Sequence, residues 1–290
     1  MTLELAVNSR KSKKIQLSKP TAEANEKLLD KICSQFPTVD ANGYANLVNY
    51  SSLSDEPVHR WFRYREGYSI RLVKELIEGL PRGSVIVDPF CGCGTTLIAA
   101  QELGFESYGL DINPISILVS RVKTREYEHG KVNEIRKHLA SLLNLNVTSP
   151  ADEPPALKII NKVFHGEVLR ALLILRKHIK EIADPEAREF LKVGWLAILE
   201  GVSNVFKEGN GIKYRNRKRT PTGYVTIPDE QWQDQLFPDD KFEFVLDRFR
   251  KQIGQMIEDL ENRPNKLPKA HVIDASAESL SEHISPNSAA

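Results

Sequence analysis

One stretch, residues 85–114, constrains the fold more than any other part of the chain: VIVDPFCGCGTTLIAAQELGFESYGLDINP. The β-branched run Val85 to Val87 predicts a short buried strand, and residues 95–103 place apolar side chains at helical spacing. A second short strand is predicted from Ser107 to Leu110. Two strands joined by a helix form a βαβ unit, in which the strands are parallel and helices cover both faces of the sheet. The fold class is therefore predicted to be α/β.

The loop between the first strand and the helix, residues 91–95, predicts a ligand site, because open α/β sheets bind ligands at the carboxyl ends of their strands. Gly92 and Gly94 remove side chains where a backbone must approach a ligand. A dinucleotide site would require a third glycine at the position of Leu97, which argues against NAD and FAD. The segment also has no Gly-Lys-Ser/Thr sequence, so a Walker phosphate loop is excluded.

An acidic residue stands at the end of each predicted strand. Asp88 would repel a phosphate and suits a cationic or zwitterionic ligand. Asp111 lies about 20 residues beyond the first glycine, the spacing at which ribose-binding folds hold a sugar diol. S-adenosylmethionine has both parts, a charged amino-acid end and a ribose, and this pattern favours it as the ligand.

The residues from Asp88 to Thr96, DPFCGCGTT, closely resemble the first motif of the DNA amino methyltransferases, which methylate adenine N6 or cytosine N4. The family usually has serine where this chain has Cys93. Residues 109–114, GLDINP, resemble the family's second motif, in which the acidic residue, here Asp111, holds the ribose of the cofactor. The resemblance implies a partial Rossmann-like methyltransferase sheet with S-adenosylmethionine as cofactor.

An aromatic and basic segment followed by an amphipathic helix precedes the first strand, at residues 59–80, with Ser69 as the predicted N-cap. It resembles the family's tenth motif, which packs beside the methionine end of the cofactor. An ordinary helix with an aromatic lead-in is the alternative. The resemblance implies cofactor contacts at Trp61, Tyr64, Arg65 and Gly67. The apolar face of the helix is predicted to consist of Ile70, Val73, Leu76, Ile77 and Leu80.

A third similarity lies in AHVIDASAESL, residues 270–280. A strand is predicted at His271 to Ile273, and Asp274 resembles the acidic residue of the family's third motif, which lies near the adenine of the cofactor. A plain strand-turn-helix could also produce this pattern. The predicted cofactor-binding residues are Trp61, Tyr64, Arg65, Gly67, Asp88, Pro89, Phe90, Gly92, Gly94, Thr95, Asp111, Ile112 and Asp274.

Residues 132–265 form a large insertion, for which the periodicity predicts mainly helices, at 135–145, 163–182, 187–206 and 241–260, with a linker at 146–157. One loop in it, residues 209–224, interleaves basic and aromatic side chains, a composition that fits phosphate contacts and stacking on an unpaired base. A solvated linker is the alternative. The predicted DNA-binding residues are Lys213, Tyr214, Arg215, Arg217, Lys218 and Arg219.

The net charge of +1 over 290 residues means that any contact with nucleic acid must come from such local patches. The chain has no signal peptide and no apolar run of membrane length, so we expect a soluble cytoplasmic protein. Its three cysteines, Cys33, Cys91 and Cys93, cannot form a disulfide framework and indicate a reducing compartment. No metal site is predicted, because the sequence has no second Cys/His pair at ligand spacing.

The family's catalytic motif, Asp/Asn/Ser-Pro-Pro-aromatic, accepts hydrogen bonds from the target amino group and stacks an aromatic ring on the flipped base. The one Pro-Pro pair here, Pro154-Pro155, is followed by Ala156 in a linker, so no catalytic residue is assigned. The sequence is therefore expected to be a truncated enzyme or one half of a split one, completed by a second polypeptide or a C-terminal segment. The first strand would then be an uncovered sheet edge, which pairs readily with another chain.

The predicted organisation is a polar N-terminal extension (1–58), a cofactor-binding α/β region (59–131), a mainly helical insertion proposed for DNA recognition (132–265) and a return to the sheet (266–290). The predicted function is S-adenosylmethionine-dependent methylation of an exocyclic amino group of a DNA base, of the restriction-modification type. Two alternatives stay open: a tRNA guanine-N2 methyltransferase, whose first motif is similar, and a noncatalytic subunit that binds cofactor or DNA.

Overall fold

A computed structural model describes residues 26–31, 34, 56–64, 67–208, 211–215, 217–226, 236–264, 266–285 and 289. The chain divides into two compact units, Met1–Ala45 and Asn46–Ala290. In the first unit, residues 26–31 are helical. The second unit holds every other element given below. The domain boundaries proposed from the sequence, after residues 58, 131 and 265, stay predictions.

The elements of the second unit alternate at first between sheet and helix. A 3-10 helix (His59–Trp61), α1 (Ile70–Ile77), β1 (Val85–Asp88), α2 (Thr95–Leu103), β2 (Glu106–Asp111), α3 (Pro114–Thr124) and α4 (His129–Leu143) come first. The chain continues with α5 (Ile160–Val163), α6 (Gly166–Lys180), α7 (Pro185–Ile198), β3 (Val205–Glu208), β4 (Gly211–Tyr214), β5 (Arg217–Thr220), β6 (Gly223–Thr226) and α8 (Lys241–Glu261). The order closes with β7 (Ala270–Asp274), a 3-10 turn (Ala277–Ser279) and α9 (Leu280–His283).

Three parallel strands form the main sheet, in the order β1-β2-β7. In the central strand β2, Gly109 is level with Asp88 of β1 and Asp111 is level with Asp274 of β7. The predicted α/β class is confirmed by this sheet and the helices around it. Strand β1 lies at one edge, where it pairs with β2 and with no other strand of the described chain.

The helix ahead of the sheet, α1, follows its local sequence signals. Ser69 caps it as predicted, because the Ser69 hydroxyl accepts a hydrogen bond from the Arg71 N–H. Its buried residues are Ile70, Val73 and Ile77. Leu76 was predicted to share this face, but it is 62% exposed, so that part of the prediction is wrong. Each residue turns the helix by about 100°, which leaves Leu76 on the flank of the buried stripe.

The insertion is built mainly from α4, α6, α7 and α8, and α8 packs against both α6 and α7. The predicted linker, residues 146–157, contains neither helix nor strand. The third predicted helix was expected to reach Phe206, but α7 ends at Ile198 and the strand β3 begins at Val205. Gly201 and the β-branched Val202 and Val205 explain this earlier end, because such residues weaken a helix.

Two antiparallel hairpins, β3–β4 and β5–β6, complete the insertion. They occupy most of residues 209–224, for which a loop was predicted, so the loop prediction is wrong for residues 211–214, 217–220 and 223–224. Residues 211–220, GIKYRNRKRT, do not alternate apolar and polar side chains, so their periodicity predicts no strand.

Asp259 of α8 fixes the segment ahead of α1 to the insertion. Its carboxylate accepts hydrogen bonds from the Val58 N–H (2.9 Å), the Trp61 Nε1–H (2.8 Å) and the Arg60 guanidinium (Nε at 3.1 Å). Val58 has a φ of 65°, a strained conformation for a β-branched residue, and this bond to its N–H helps to hold it. None of the helices in the described ranges combines the length and the apolar character needed to cross a bilayer.

Candidate functional site

The candidate site is the loop that joins β1 to α2. It turns back on β2, because the Cys91 N–H donates to the Leu110 carbonyl at 2.9 Å. The Gly94 N–H then donates to the Cys91 carbonyl at 2.8 Å, which closes the turn. Gly92 and Gly94 have φ values of 51° and 86°, in the left-handed region that other residues rarely adopt. The two glycines are therefore required by the backbone itself.

Close neighbours impose a second requirement on the same glycines. A Cβ on Gly92 would lie 3.0 Å from Cε1 of Tyr64, and one on Gly94 would lie 3.1 Å from Oγ of Ser120. The Ser120 hydroxyl also donates to the Gly92 carbonyl at 2.7 Å. Tyr64 and α3 thus hold the loop from two sides.

Leu97 shows why this loop has no third glycine. Its side chain is fully buried, and a Cβ on Gly109 of β2 would lie 2.8 Å from both Cδ1 of Leu97 and Cβ of Cys91. The glycine that permits close packing of helix and strand is therefore in the strand, and the helix supplies the larger residue.

Among the described residues, Asp88 receives only neutral hydrogen-bond donors. Its carboxylate accepts from the hydroxyls of Tyr68 (2.9 Å) and Thr96 (2.5 Å) and from the Phe90 N–H (3.0 Å). Burial and the neighbouring Asp88 charge raise the pKa of Tyr68 above its usual value, so its hydroxyl stays protonated and donates. No cation among the described residues pairs with Asp88, and its negative charge is left to attract a ligand.

Asp111 stands at the end of the next strand. One oxygen of its carboxylate accepts from the Gly92 N–H at 2.9 Å and the other accepts from the Asn113 N–H at 2.8 Å. The first bond ties the glycine loop to the acidic end of β2. Asn113 in turn caps α3, since its side chain accepts from the Ile115 N–H at 2.9 Å. Asp274, level with Asp111 on β7, is exposed.

Two apolar side chains next to these carboxylates are turned to solvent. Phe90 is 76% exposed and Ile112 is 73% exposed, and each comes within two residues of the end of a strand. A site with two carboxylates and two open apolar side chains can bind a ligand that carries cationic or hydroxyl groups and a flat apolar part.

Cys91 is not a nucleophile in this setting. Burial, with the charges of Asp88 and Asp111, raises the pKa of Cys91 to about 12, so the thiol is neutral near pH 7. Cys91 and Cys93 are both buried and unpaired. The described part of the chain has no group of three or more His, Cys, Asp or Glu side chains placed to hold a metal ion.

The structure brings most of the predicted cofactor residues to this loop. Tyr64 lies against Gly92, Gly67 follows in the same segment, Pro89 lies within the turn and Thr95 is the first residue of α2. Trp61 lies elsewhere: it is fully buried, packs edge-on against Phe190 at 5.5 Å and donates to Asp259. Arg65 lies outside the described residues.

Sequence reasoning missed Tyr68, Thr96 and Ser120, which hold Asp88 and the Gly92 carbonyl. Thr96 was visible inside the first motif. Tyr68 and Ser120 lie 20 and 28 residues from their partners, and no spacing rule links such positions.

The predicted DNA-binding residues lie on the hairpins. Lys213 is exposed on β4, and Tyr214 beside it is half-buried. Arg215 is engaged within the protein: its Nε donates to the Ser203 carbonyl at 3.1 Å, and its guanidinium lies 5.7 Å from the ring centre of Phe206. Arg217, Lys218 and Arg219 lie on β5.

The loop geometry, with acidic residues closing two adjacent parallel strands and glycines between them, is that of a Rossmann-like ligand site. Residues 7–119 match the family model described as DNA methylase. The chain is 32% identical over 177 residues to the Type II methyltransferase M.BsoBI of Geobacillus stearothermophilus, covering 59% of this chain and 35% of that protein. It is 27% identical over 261 residues to the Type II methyltransferase M.MvaI of Kocuria varians, covering 85% and 53%.

These matches agree with the resemblance that the two loop motifs carry: part of the chain is similar to a DNA methylase family, and more of it is similar to Type II methyltransferases. It spans between about a third and a half of the length of these curated relatives. No solved structure gave a significant match.

Proposed function

We propose that this chain is the cofactor-binding part of an S-adenosylmethionine-dependent enzyme that methylates an exocyclic amino group of a DNA base in a restriction-modification system. The observation that carries the proposal is the pairing of Asp88 and Asp111 across the glycine loop, with neutral donors on both carboxylates. The match to Type II methyltransferases supports the reaction class.

The residues present fit this cofactor. Asp111 has a carboxylate whose two internal donors are backbone N–H groups, and it would accept the ribose hydroxyls. Asp88 pairs with no cation of the described residues, and its carboxylate would bind the ammonium group of the methionine part. The open side chains of Phe90 and Ile112, with Asp274 nearby on β7, would border the adenine. The cofactor supplies an activated methyl group, and the role of these residues is to bind and orient it.

A titration tests the proposal. Asp111→Ala should weaken S-adenosylmethionine binding by about 1.5–3 kcal/mol, the value of a hydrogen bond to a charged group, as measured by calorimetry on the folded protein. Asp239→Ala is the matched control, because Asp239 is an exposed carboxylate on the approach to α8. Equal affinity in the Asp111 variant and the control would remove the cofactor assignment.

We also propose that the catalytic motif comes from polypeptide outside these 290 residues. No Pro-Pro-aromatic sequence occurs among them. Strand β1 offers an edge whose outer N–H and C=O groups pair with no strand of the described ranges, and an added strand could continue the sheet there.

A methyl-transfer assay with DNA tests whether the catalytic motif comes from another polypeptide. The 290-residue chain alone should transfer no methyl group from labelled cofactor to mixed-sequence DNA, and a polypeptide carrying Asp/Asn/Ser-Pro-Pro-aromatic should restore transfer. Methylation by the chain alone would show that its own residues are catalytic. Failure of the second polypeptide to restore transfer would favour a noncatalytic subunit.

We propose that the two hairpins contact DNA through the basic residues predicted from the sequence. Lys213 and the β5 cations Arg217, Lys218 and Arg219 are the proposed phosphate ligands. Arg215 contributes less to this proposal, because its guanidinium already binds carbonyls of the segment after α7. The salt dependence of DNA binding tests these residues, since each lost phosphate contact lowers the slope by about 0.9 on duplex DNA.

A further inference from the structure

A cleft in the helical insertion is separate from both proposed sites. It lies between α6 and α7, with α3 behind it, and has a volume of about 380 Å³. Its lining consists of four cations, one carboxylate and three apolar side chains: Arg176, Lys180, Arg188, Lys192, Glu189, Leu118, Ile179 and Trp195. A volume of this size lies in the usual range of ligand pockets, about 300–1,000 Å³.

The charges of the cleft are only partly compensated. Arg176 and Lys180 share one carboxylate, since Oδ2 of Asp152 lies 3.3 Å from Nε of Arg176 and 2.6 Å from Nζ of Lys180. Glu189, the one acidic lining residue, is itself bound by Arg125 outside the cleft, at 2.7 Å. A positive field therefore remains around the cleft, although the chain as a whole has a net charge of only +1.

The two cations from α7 differ in their surroundings. The Arg188 guanidinium donates to the Ile182 carbonyl at 2.7 Å, which fixes it at the rim. Lys192 is exposed, and its ammonium group forms no hydrogen bond or ion pair with the described residues. Lys192 is thus available to an external anion.

An aromatic surface lies among these cations. Arg188, Lys192 and Trp195 are spaced four and three residues apart, so they share one face of α7. The indole N–H of Trp195 donates to the Leu172 carbonyl at 3.0 Å, which fixes the ring in the wall of the cleft. A fixed aromatic ring surrounded by cations suits a ligand with a flat ring and a phosphate group on either side.

The cleft is close to the candidate site along α3. Leu118 in its wall comes four residues after Pro114, the first residue of α3, and this corresponds to about 6 Å along the helix axis. Asn113, which caps the same helix, donates its N–H to Asp111. Helix α3 therefore connects the wall of the cleft with the acidic end of β2.

We propose that this cleft binds an unpaired nucleotide of the DNA substrate, with flanking phosphates on Lys180, Lys192 and the two arginines and the base against Trp195. The proposal rests on the proposed function, because it takes DNA as the substrate. A bare phosphate would leave the apolar wall unused, whereas a nucleotide in a strand uses both the wall and the cations.

The test is the binding of a fluorescent single-stranded oligonucleotide to the whole chain, by anisotropy over a range of salt concentrations. The variant Lys180→Gln/Lys192→Gln should lower the slope of log affinity against log salt by about 1.4, that is, about 0.7 for each contact with a single strand. The control Lys137→Gln/Lys158→Gln removes the same charge from exposed lysines outside the cleft and should keep the original slope.

A second pair of variants tests the aromatic wall. Trp195→Leu should weaken binding at least about fivefold through lost stacking, and Trp195→Phe, which keeps a ring, should retain most of the affinity.

Equal slopes in the cleft variant and its lysine control, or equal affinities in the two Trp195 variants, would overturn the proposal while leaving cofactor binding intact. Displacement of the oligonucleotide by deoxyadenosine monophosphate at a lower concentration than is needed of unlabelled strand would assign the cleft to free nucleotides instead. If the chain binds no DNA at low salt, the DNA part of the proposed function fails as well.

Discussion

Two regions of this molecule hold carboxylates in contrasting ways. At the junction of α8 with residues 58–61, Asp259 is 4% exposed and accepts from a guanidinium, an indole and a backbone N–H. At the carboxyl end of the sheet, Asp88 and Asp111 are half-buried, and their donors in the described part of the chain are hydroxyls or backbone N–H groups.

The two regions differ in whether a cation compensates the charge of the carboxylate. The Arg60 guanidinium compensates Asp259, so that carboxylate is part of the packing. Asp88 and Asp111 are oriented by neutral groups, which fix their positions and leave their charges for a ligand. The type of hydrogen-bond donor thus distinguishes the structural carboxylate of Asp259 from the two carboxylates that we propose for ligand binding.

The largest effect should come from Asp259→Ala. Removing one partner of a buried ion pair costs about 3–5 kcal/mol, because the other charge is left uncompensated, so the free energy of unfolding in urea should fall by that amount. Asp247→Ala on the same helix removes exposed ion pairs to Arg250 and Lys251 and should cost less than about 1 kcal/mol. Cofactor affinity of the folded Asp259 variant should be unchanged. A loss of cofactor affinity in the Asp259 variant without a loss of its unfolding free energy would contradict the structural role of Asp259.

Gly94→Ala should have an intermediate effect and should act on the other region. An alanine in the left-handed conformation costs about 1–2 kcal/mol, and its Cβ would crowd Ser120, so both stability and cofactor affinity should fall. Gly130→Ala in α4 is the control, because no atom lies within 4 Å of a Cβ there and the helix should be unchanged or slightly stabilised. Cofactor affinity equal to that of the control would mean that the glycine loop is not part of the binding site.

The smallest effect concerns pH at the α8 junction. Burial, together with Lys123, Lys74 and Arg263, lowers the pKa of His59 well below its usual value of 6.5. The unfolded chain therefore takes up this proton more readily than the folded one. The contribution of His59 to stability is complete above about pH 6.5 and is lost as pH falls toward the lowered pKa, by at most about 1.4 kcal/mol per pH unit.

Urea unfolding between pH 5 and 7 measures this, with His59→Gln as the variant that cannot take up the proton. The variant should lose less stability on acidification than the original chain, and His138→Gln, which changes a partly exposed histidine of α4, should behave like the original. The same slope in all three proteins would show that His59 does not titrate differently in the folded state.

Local sequence was sufficient where one segment determines its own structure. The helix predicted over residues 95–103 has those bounds in the structure, and the glycines of the loop adopt the left-handed backbone that their motif requires. The predicted strands are one residue shorter at each end than β2 and β7. The bounds of the helix depend on residues next to it in the sequence, Gly94 and Gly104 at its two ends.

Sequence was insufficient where distant residues decide. Trp61 was assigned to the cofactor by its place in an aromatic segment, but its buried environment is set by Phe190 and Asp259, which lie more than a hundred residues further along the chain. The hydroxyl of Tyr68 on Asp88 and the hairpins at residues 205–226 also depend on packing that periodicity does not reveal. The cleft at Trp195 belongs to this class, because three helices create it.

The contact of Leu97 with Gly109 has a consequence for how such loops are recognised. Where α2 crosses β2, there is space for only one large side chain. Here the helix supplies it, and the strand has a glycine at the facing position. A sequence motif that covers only the loop and the start of the helix includes Leu97 and omits Gly109. In related folds, the residue at the position of Gly109 should therefore be large where the residue at the position of Leu97 is small, and small where it is large. The packing of the helix and the type of ligand can then change together when the large side chain moves from one position to the other.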